Sequence, residues 1–415
     1  MLGVRSANRL PISTNSAIVR PTVYIVCEGL QAPPRAGFHV HLLSLAHGLA
    51  SQVDVKAFAW ASRRDTGDWE RWVSTLPAGP SPDDYVIPVG GRNRSGNAIA
   101  RKLSYWRTVQ RHLGADARRG DVLWVRDFST AILGAPSIFG WLPGRRGLIH
   151  VYDASSMIDL ELGLREPEFG HRVKGIMERW LRRDFHLVRT LGEGMRGELV
   201  RSGVPAERIL VAPVGAHRTI RERRSPARLQ RLLYVGSPSA WQGLDHLLDA
   251  MKILEVRLPA VRLSVVGVPA SHGIAAHTGS NVDFLGWVER GEMQRLYETH
   301  DLFVIPRPRL PLTETVIPMK CVEAQAQGIP ILASRLGAIE EVTAGESAWL
   351  VEPGSATALA EGVVALANDP SRLSAMGEAA ERRSLAFDWP EIGRRITARL
   401  FEEIPSGHRT DVELP

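Results

Sequence analysis

Apolar residues fall in short runs, and the stretches between them repeat apolar positions at helical spacing. TVYIVCEGL (22–30) predicts a buried strand, and VDVKAFAW predicts a second. Between them, a helix over about residues 39–50 puts Leu42, Leu45, Ala46 and Leu49 on one face. Further strands are predicted at 122–125, LIHVYDASS (148–156), ILVAP, RLLYVGS (231–237), VRLSVVG, VDFLGWV, DLFVIP (301–306) and 331–333. Helices are expected near Ser129, near Glu193, near Leu244 and from Pro318, a residue favoured in a first turn. GSATALAEGVVALANDPSRLSAMGEAAERRSL predicts two more helices. FDWPEIGRRITARLFEEI predicts a last one, capped by Asp388 with Pro390 just inside. Segments 62–98 and 307–315 read as loops. The alternation is that of an α/β protein with doubly wound, Rossmann-like sheets.

At 415 residues the chain exceeds what one hydrophobic core usually holds, so two domains are expected. The boundaries are a loose lead-in at 1–20, a first domain at 21–215, a charged linker at 216–229, a second domain at 230–386, a final helix at 387–405 and a loose tail at 406–415. No apolar run approaches the roughly 18 residues of a membrane span. The first 20 residues lack an apolar core and do not read as a secretion signal. Cys27 and Cys321 stand in different halves, which argues against a disulfide and for a reducing compartment.

The net charge of +6 calls for an anionic partner, either nucleic acid or an anionic membrane surface. Segment 101–119, RKLSYWRTVQRHLGADARR, holds six Lys or Arg against one acid, with Tyr105 and Trp106 interleaved. HRVKGIMERWLRRDFH (171–186) reads as a basic amphipathic helix. Such helices lie on membranes, and they also occur as solvated faces. No zinc spacing, RRM-like motif or helix-turn-helix signature supports nucleic acid.

Candidate chemistry collects at predicted strand ends. Lys320 stands in the first turn of the helix opening at Pro318, where the helix dipole disfavours a cation, and Glu323 is one turn on. Two readings stand. The pair is an ordinary surface ion pair, or the helix start holds a phosphate beside Lys320 while Glu323 accepts from a ribose diol. Arg126 ends a strand, where it either holds an anionic group or pairs with Asp127 or a helix terminus. Asp153 ends another, as a general base, as a holder of a sugar hydroxyl, or as a helix cap in competition with Ser155. His39 and His41 are two apart and cannot share a helix face as metal ligands. The loop containing Gly37 is not a G-x-G-x-x-G fingerprint.

YVGSPSAWQGLDHLLDAM, VRLSVVG, VDFLGWVERGEMQRLYETHDLFVIPR, PMKCVEAQAQGIPI and GESAWLVEPG, taken in this order, resemble the donor half of a GT-B glycosyltransferase, most like glycosyltransferase family 4. The first half resembles the family more weakly. The resemblance implies two Rossmann-like domains facing across a cleft, with the final helix crossing back to the first. It implies transfer of a sugar from a UDP- or GDP-linked donor to a hydroxyl of a glycan or lipid-linked acceptor in surface polysaccharide or glycoconjugate synthesis, with retention and without metal or other cofactor. The enzyme would be cytoplasmic, or peripheral on the inner face of the membrane. Carried over residue by residue, Gly236, Ser237, Trp241 and Gly243 form the diphosphate loop. Gly286, Trp287 and Val288 meet the base. Arg307, Glu314, Thr315, Val316, Ile317, Lys320 and Glu323 complete the donor site. Gly37, His39 and Asp153 stand on the acceptor side, and Lys320, Asp153 and Arg126 are the catalytic candidates. The sequence departs from the family at several points. No base occurs between Ser237 and Gly243, and Arg126 replaces a histidine. The first of two glutamates normally eight apart would fall at Thr315, one past Glu314. His217 replaces an acid where the first domain ends. A binder that has lost catalysis and another GT-B sugar enzyme, an epimerase or phosphorylase, are the alternatives.

Overall fold

The computed structural model describes residues 20–32, 34, 37–61, 66–74, 76, 79–89, 98–139, 147–155, 169–217, 228–274 and 279–401. Two sheets organise them. The first takes β1 (Thr22–Ala32), β2 (Asp54–Ala61), β3 (Val86–Pro88), β4 (Val122–Val125), β5 (Ile149–Asp153), β6 (Leu187–Thr190) and β7 (Ile209–Val211) in the order β3-β2-β1-β4-β5-β6-β7. The second takes β8 (Arg231–Val235), β9 (Arg262–Val266), β10 (Val282–Gly286), β11 (Leu302–Ile305), β12 (Ile331–Ser334) and β13 (Ala348–Val351) in the order β10-β9-β8-β11-β12-β13. All the strand pairings described are parallel. β4, β5, β6, β11 and β12 are buried at every position, as strands covered on both faces should be; β4 and β11 are wholly apolar, whereas β5, β6 and β12 bury His150, Asp153, Arg189, Thr190 and Ser334.

The crossovers of the first half are α1 (Gly37–Ala50), α2 (Thr66–Ser74), α3 (Pro82–Tyr85), α4 (Ala98–Asp116), α5 (Phe128–Gly134), α6 (Pro136–Phe139), α7 (Phe169–Asp184) and α8 (Glu193–Arg201). Those of the second are α9 (Leu244–Arg257), α10 (Arg290–Thr299), α11 (Pro311–Thr315), α12 (Met319–Ala326), α13 (Gly337–Thr343), α14 (Ala356–Ala367) and α15 (Pro370–Ser384), followed by α16 (Trp389–Phe401). Leu42, Leu45, Ala46 and Leu49 all point into the core from α1, as their spacing requires.

Three expectations change. Segment 62–98 contains α2, α3 and the sheet-edge strand β3, because Tyr85 and Val86 are buried anchors too short to register as a periodic run. The loop at 307–315 closes with α11, in which Thr313 donates to Pro308 O at 2.7 Å and accepts from Leu310 N at 2.9 Å. Pro318 is the cap of α12 and not its first residue, so Met319 opens the helix. Cys27 and Cys321 are both free and buried. No helix among the described residues is long and apolar enough to cross a membrane. Residues 1–19, the centre of the charged linker (218–227) and 402–415 lie outside the described residues.

The last helix returns to the first sheet's side. Ala216 bridges Asp388, and α16 then packs on α1 through glycines. A Cβ on Gly393 would stand 2.5 Å from Gly48 O, and one on Gly48 would stand 2.7 Å from Trp389 O. Backbone on backbone leaves no side chain to move aside. Gly393→Ala is therefore expected to destabilise the protein by about 1–3 kcal/mol, read as a lowered urea midpoint; an unchanged midpoint would show that the two helices separate at no cost.

Candidate active site

In each sheet the strand order reverses at one point, between β1 and β4 in the first and between β8 and β11 in the second. Ligand crevices in open α/β sheets open at the carboxyl ends of such strands. In the second sheet the loops leaving β8 and β11 are clamped together there. Gly243 has φ +71°, and a Cβ on it would lie 1.9 Å from Pro306 O, so only glycine fits. This contact brings Trp241 under the guanidinium of Arg307, at 4.9 Å from the ring centroid. Arg307 is buried and donates to Val316 O at 3.3 Å, while its Nε has no partner. Burial lowers its pKa to about 10, which still leaves it charged at neutral pH. Gly236 and Ser237 begin the same loop, where Tyr234 Oη donates to Ser237 O at 3.1 Å. A charge absent from the loop's own sequence thus reaches it from β11.

Beside it, Gly286 ends the edge strand β10. Its N–H donates to Val268 O at 3.2 Å and its C=O accepts from Gly267 N at 2.7 Å. Trp287 follows, largely exposed, and Val288 is half-buried. α12 starts on the other side. Lys320 Nζ lies 2.7 Å from Glu323 Oε2, and the buried Tyr297 hydroxyl of α10 donates to the same carboxylate oxygen at 3.3 Å. Glu323 is therefore held from two sides, with Lys320 38% and Glu323 24% exposed at their side chains. Glu314 is committed elsewhere. It accepts from Gly337 N at 2.7 Å at the start of α13 and pairs with Arg309.

The segment 315–317 lies on the seam between the halves. A Cβ on Gly194 would stand 3.3 Å from Thr315 Cα, and one on Gly192 would stand 2.7 Å from Ile317 Cδ1. Val316 is half-buried between them, and the Thr315 hydroxyl is turned back to Pro311 O at 2.9 Å. Glu341 closes the seam. Its carboxylate accepts from Glu193 N at 2.8 Å, meeting the start of α8 from the opposite half. Gln327 Nε2 donates to His217 O at 3.1 Å, so His217 contributes its backbone where the family acid would stand.

The first sheet's switch point carries Arg126. Asp127 does not pair with it. Asp127 accepts from Thr130 N and Glu28 N, both at 2.9 Å, and so caps α5 and pins the end of β1. Arg126 turns to Asp153, with Nη1 at 3.8 Å from Oδ2, too far for a hydrogen bond. Asp153 is filled by others: Arg189 Nη1 at 3.0 Å, Ser155 Oγ at 2.8 Å and Trp124 Nε1 at 3.3 Å. Arg189 also meets His41 Nε2 at 3.0 Å and donates to Pro213 O at 3.0 Å. Burial alone would push the Asp153 carboxyl up, but Arg189 and Arg126 outweigh it and hold it well below the usual carboxylate range. Burial and the same two cations push the His41 ring well below its ordinary value, so it is neutral. Two guanidiniums against one carboxylate leave an excess of positive charge, and Arg126 Nη1 is buried without a partner. His39, on the turn of α1 below Gly37, is buried, with its pKa lowered first by burial.

Arg189, His41, Tyr297 and Glu341 carry this geometry; the sequence marks His41 only as half of an excluded metal pair and does not mark the other three. A charge inside the four-residue strand LVRT was the available sign, because such a charge must meet a partner in the core.

Two family models match the chain. One is described as glycosyl transferase 4-like domain, over residues 36–215, and the other as glycosyl transferases group 1, over residues 230–369. A GDP-mannose-dependent monoacylated alpha-(1-6)-phosphatidylinositol monomannoside mannosyltransferase of Corynebacterium glutamicum is 30% identical over 169 residues, which cover 39% of this chain and 44% of that protein. The putative colanic acid biosynthesis glycosyltransferase WcaL of Escherichia coli is 23% identical over 88% of this chain and 92% of its own length. The solved structure of HepE from Anabaena superposes with a TM-score of 0.68 at 16% identity, over 92% of this chain and 99% of that one. The chain belongs to the GT-B glycosyltransferases, of the family 4 type.

Proposed function

We propose that this chain moves a sugar from a nucleotide diphosphate sugar to a hydroxyl of a glycan or lipid-linked acceptor, with retention and without a metal ion. The observation that carries the reading is the convergence at the β8/β11 switch point of Trp241 with Arg307, and, beside it, of Lys320 with Glu323. Arg307 and the start of α9 take the diphosphate in place of the missing loop base. Glu323, oriented by Tyr297, takes the ribose diol, and the edge at Gly286 to Val288 takes the base. Lys320 leaves Glu323 for the leaving diphosphate and stabilises its developing charge. Thr315, Val316 and Ile317 offer backbone to the sugar at the seam. HepE was solved with UDP and glucose, and the C. glutamicum relative is named for GDP-mannose, so both nucleotides stay in play.

On the acceptor side, Arg126 is the residue with unspent donors, and an anionic group of acceptor or donor suits it. Asp153 acts through Arg126 and Arg189, holding them in place, with Gly37 and His39 on the same wall. A lipid-linked acceptor would bring a cytoplasmic enzyme to the inner face of an anionic membrane.

Calorimetry with UDP and GDP, followed by a donor-hydrolysis assay, tests the reading. Binding of one nucleotide with measurable turnover supports it. Binding without turnover would favour a degenerate binder, in keeping with Glu314 being locked onto Gly337 and Arg309. Failure to bind either nucleotide would overturn it. Glu323→Gln is expected to weaken nucleotide binding by about tenfold or more, the loss of charge-assisted hydrogen bonds to the diol. Equal affinity would remove Glu323 from the ribose.

A further inference from the structure

Helix α7 is built inside out. Towards the protein it turns Gly175, Glu178, Leu181 and Arg182, all buried. Glu178 accepts from the buried Tyr152 hydroxyl at 2.5 Å. Towards solvent it turns Phe169 (83% exposed), Ile176 (69%), Trp180 (56%), Met177 (43%) and Val173 (38%). At about 100° per residue these five side chains fall within an arc of about 100°. Arg172, Arg179 and Arg183, all exposed, line one border of that arc, although Arg183 is spent on Ser202 O, to which its Nε donates at 3.1 Å and its Nη2 at 2.6 Å. The helix has two acids. Glu178 is buried, and Asp184 accepts from Ser137 N at 2.9 Å and Ser137 Oγ at 2.8 Å. Neither opens a free negative charge onto the apolar stripe.

The other basic segment behaves differently. α4 spends Tyr105, Val109 and Leu113 in the core and, among the side chains described, leaves one large apolar one, Leu103, outside. It is a solvated helix with an ordinary buried face. An exposed apolar stripe of α7's size on a folded domain marks an interaction surface. Its rings at either end (Phe169 and Trp180), its aliphatic centre and its arginine border fit a lipid interface, where apolar side chains enter the acyl boundary and arginines stay on the phosphates.

We infer that α7 seats this protein on an anionic lipid surface, with Phe169, Ile176 and Trp180 among the acyl chains and Arg172 and Arg179 on the headgroup phosphates. In a parallel crossover the helix starts at the carboxyl end of the strands. Phe169 therefore enters the surface on the side of the sheet where Arg126 and Asp153 stand, which would present a lipid-borne acceptor to that wall. The docking itself stands on the helix and does not rest on the sugar-transfer reading.

Flotation of the full chain with vesicles tests it, comparing phosphatidylcholine alone with an equal mixture of phosphatidylcholine and phosphatidylglycerol. The protein is expected to float with the mixture and not with phosphatidylcholine alone. Ile176→Ser with Trp180→Ser removes two exposed side chains and is expected to lower vesicle affinity about a hundredfold. Arg172→Gln with Arg179→Gln is expected to lower affinity for the mixture about thirtyfold. Both pairs lie on the solvent side, so circular dichroism and calorimetric UDP binding should match the parent chain. That separates a failure here from a failure of the donor site. No flotation, or flotation untouched by the serine pair, overturns the inference. So does a concentration-dependent dimer, seen by sedimentation without flotation and broken by the serine pair, which would give the stripe to a second copy of the chain.

Discussion

Lys320→Ala should lower donor turnover by about a hundredfold or more while leaving the unfolding midpoint close to that of the parent chain. The two halves of this expectation come from different facts. Lys320 and Glu323 form an i, i+3 pair at 2.7 Å with both side chains partly exposed, a class of contact that contributes little to folding. Its position is the informative part. In the first turn of α12 the dipole works against a cation, so the ammonium is placed against its own helix's interest. That arrangement makes sense when a second negative charge arrives at the helix start, and a leaving diphosphate is such a charge. The measurement is steady-state donor hydrolysis at saturating nucleotide sugar, with thermal unfolding alongside. A fall in kcat at constant stability places Lys320 on the developing charge. Unchanged turnover would confine it to the surface pair with Glu323.

The fold was legible because its signals are local. Five strands here are buried at every residue, two of them (β4 and β11) wholly apolar and the others apolar at half their positions or more, and the helices between them carry the 3.6-residue pattern in α1 and its successors. β3 and α11 were not legible, since three- and five-residue elements give no period to read. The donor wall was half legible. Lys320 and Glu323 follow from helix position and spacing, and Gly243 from the family resemblance. The partners that orient them do not: Tyr297 reaches Glu323 from another helix, and Glu341 reaches Glu193 from the other half of the chain. Of the alternatives for Arg126, the pairing with its neighbour Asp127 does not form. Both residues lie just past the end of β4, where Asp127 is committed to the cap of α5 and Arg126 turns to Asp153 at the end of the neighbouring strand β5. α7 shows the limit of periodicity itself. The pattern announces an amphipathic helix, but only the packing reveals that its apolar side faces out.

Asp153→Asn is expected to cost about 3–5 kcal/mol of folding stability, because it strands Arg189 in the core without its charge partner and leaves Arg126 beside it. The Asp153 and Arg189 side chains are fully buried at 3.0 Å. Replacing the carboxylate removes the counter-charge and keeps the desolvation of the guanidinium, which is the expensive way to break an ion pair. Urea unfolding measures the loss. Adding Arg189→Met to Asp153→Asn should recover part of it, since an apolar side chain of similar length no longer needs the charge. The parent chain should show the same network in its pH dependence. His41 is held neutral when folded and takes up a proton when unfolded, so stability is present above about pH 6.5 and declines below it. Asp153, held ionised when folded, adds a second decline as the pH falls through the ordinary carboxylate range. Asp153→Asn should flatten that second decline. The same variant decides the residue's role in catalysis. An Asp153→Asn protein as stable as the parent but without turnover would make Asp153 a general base, whereas loss of stability, partly restored by Arg189→Met, makes it the anchor that fixes Arg126 at the mouth of the first sheet.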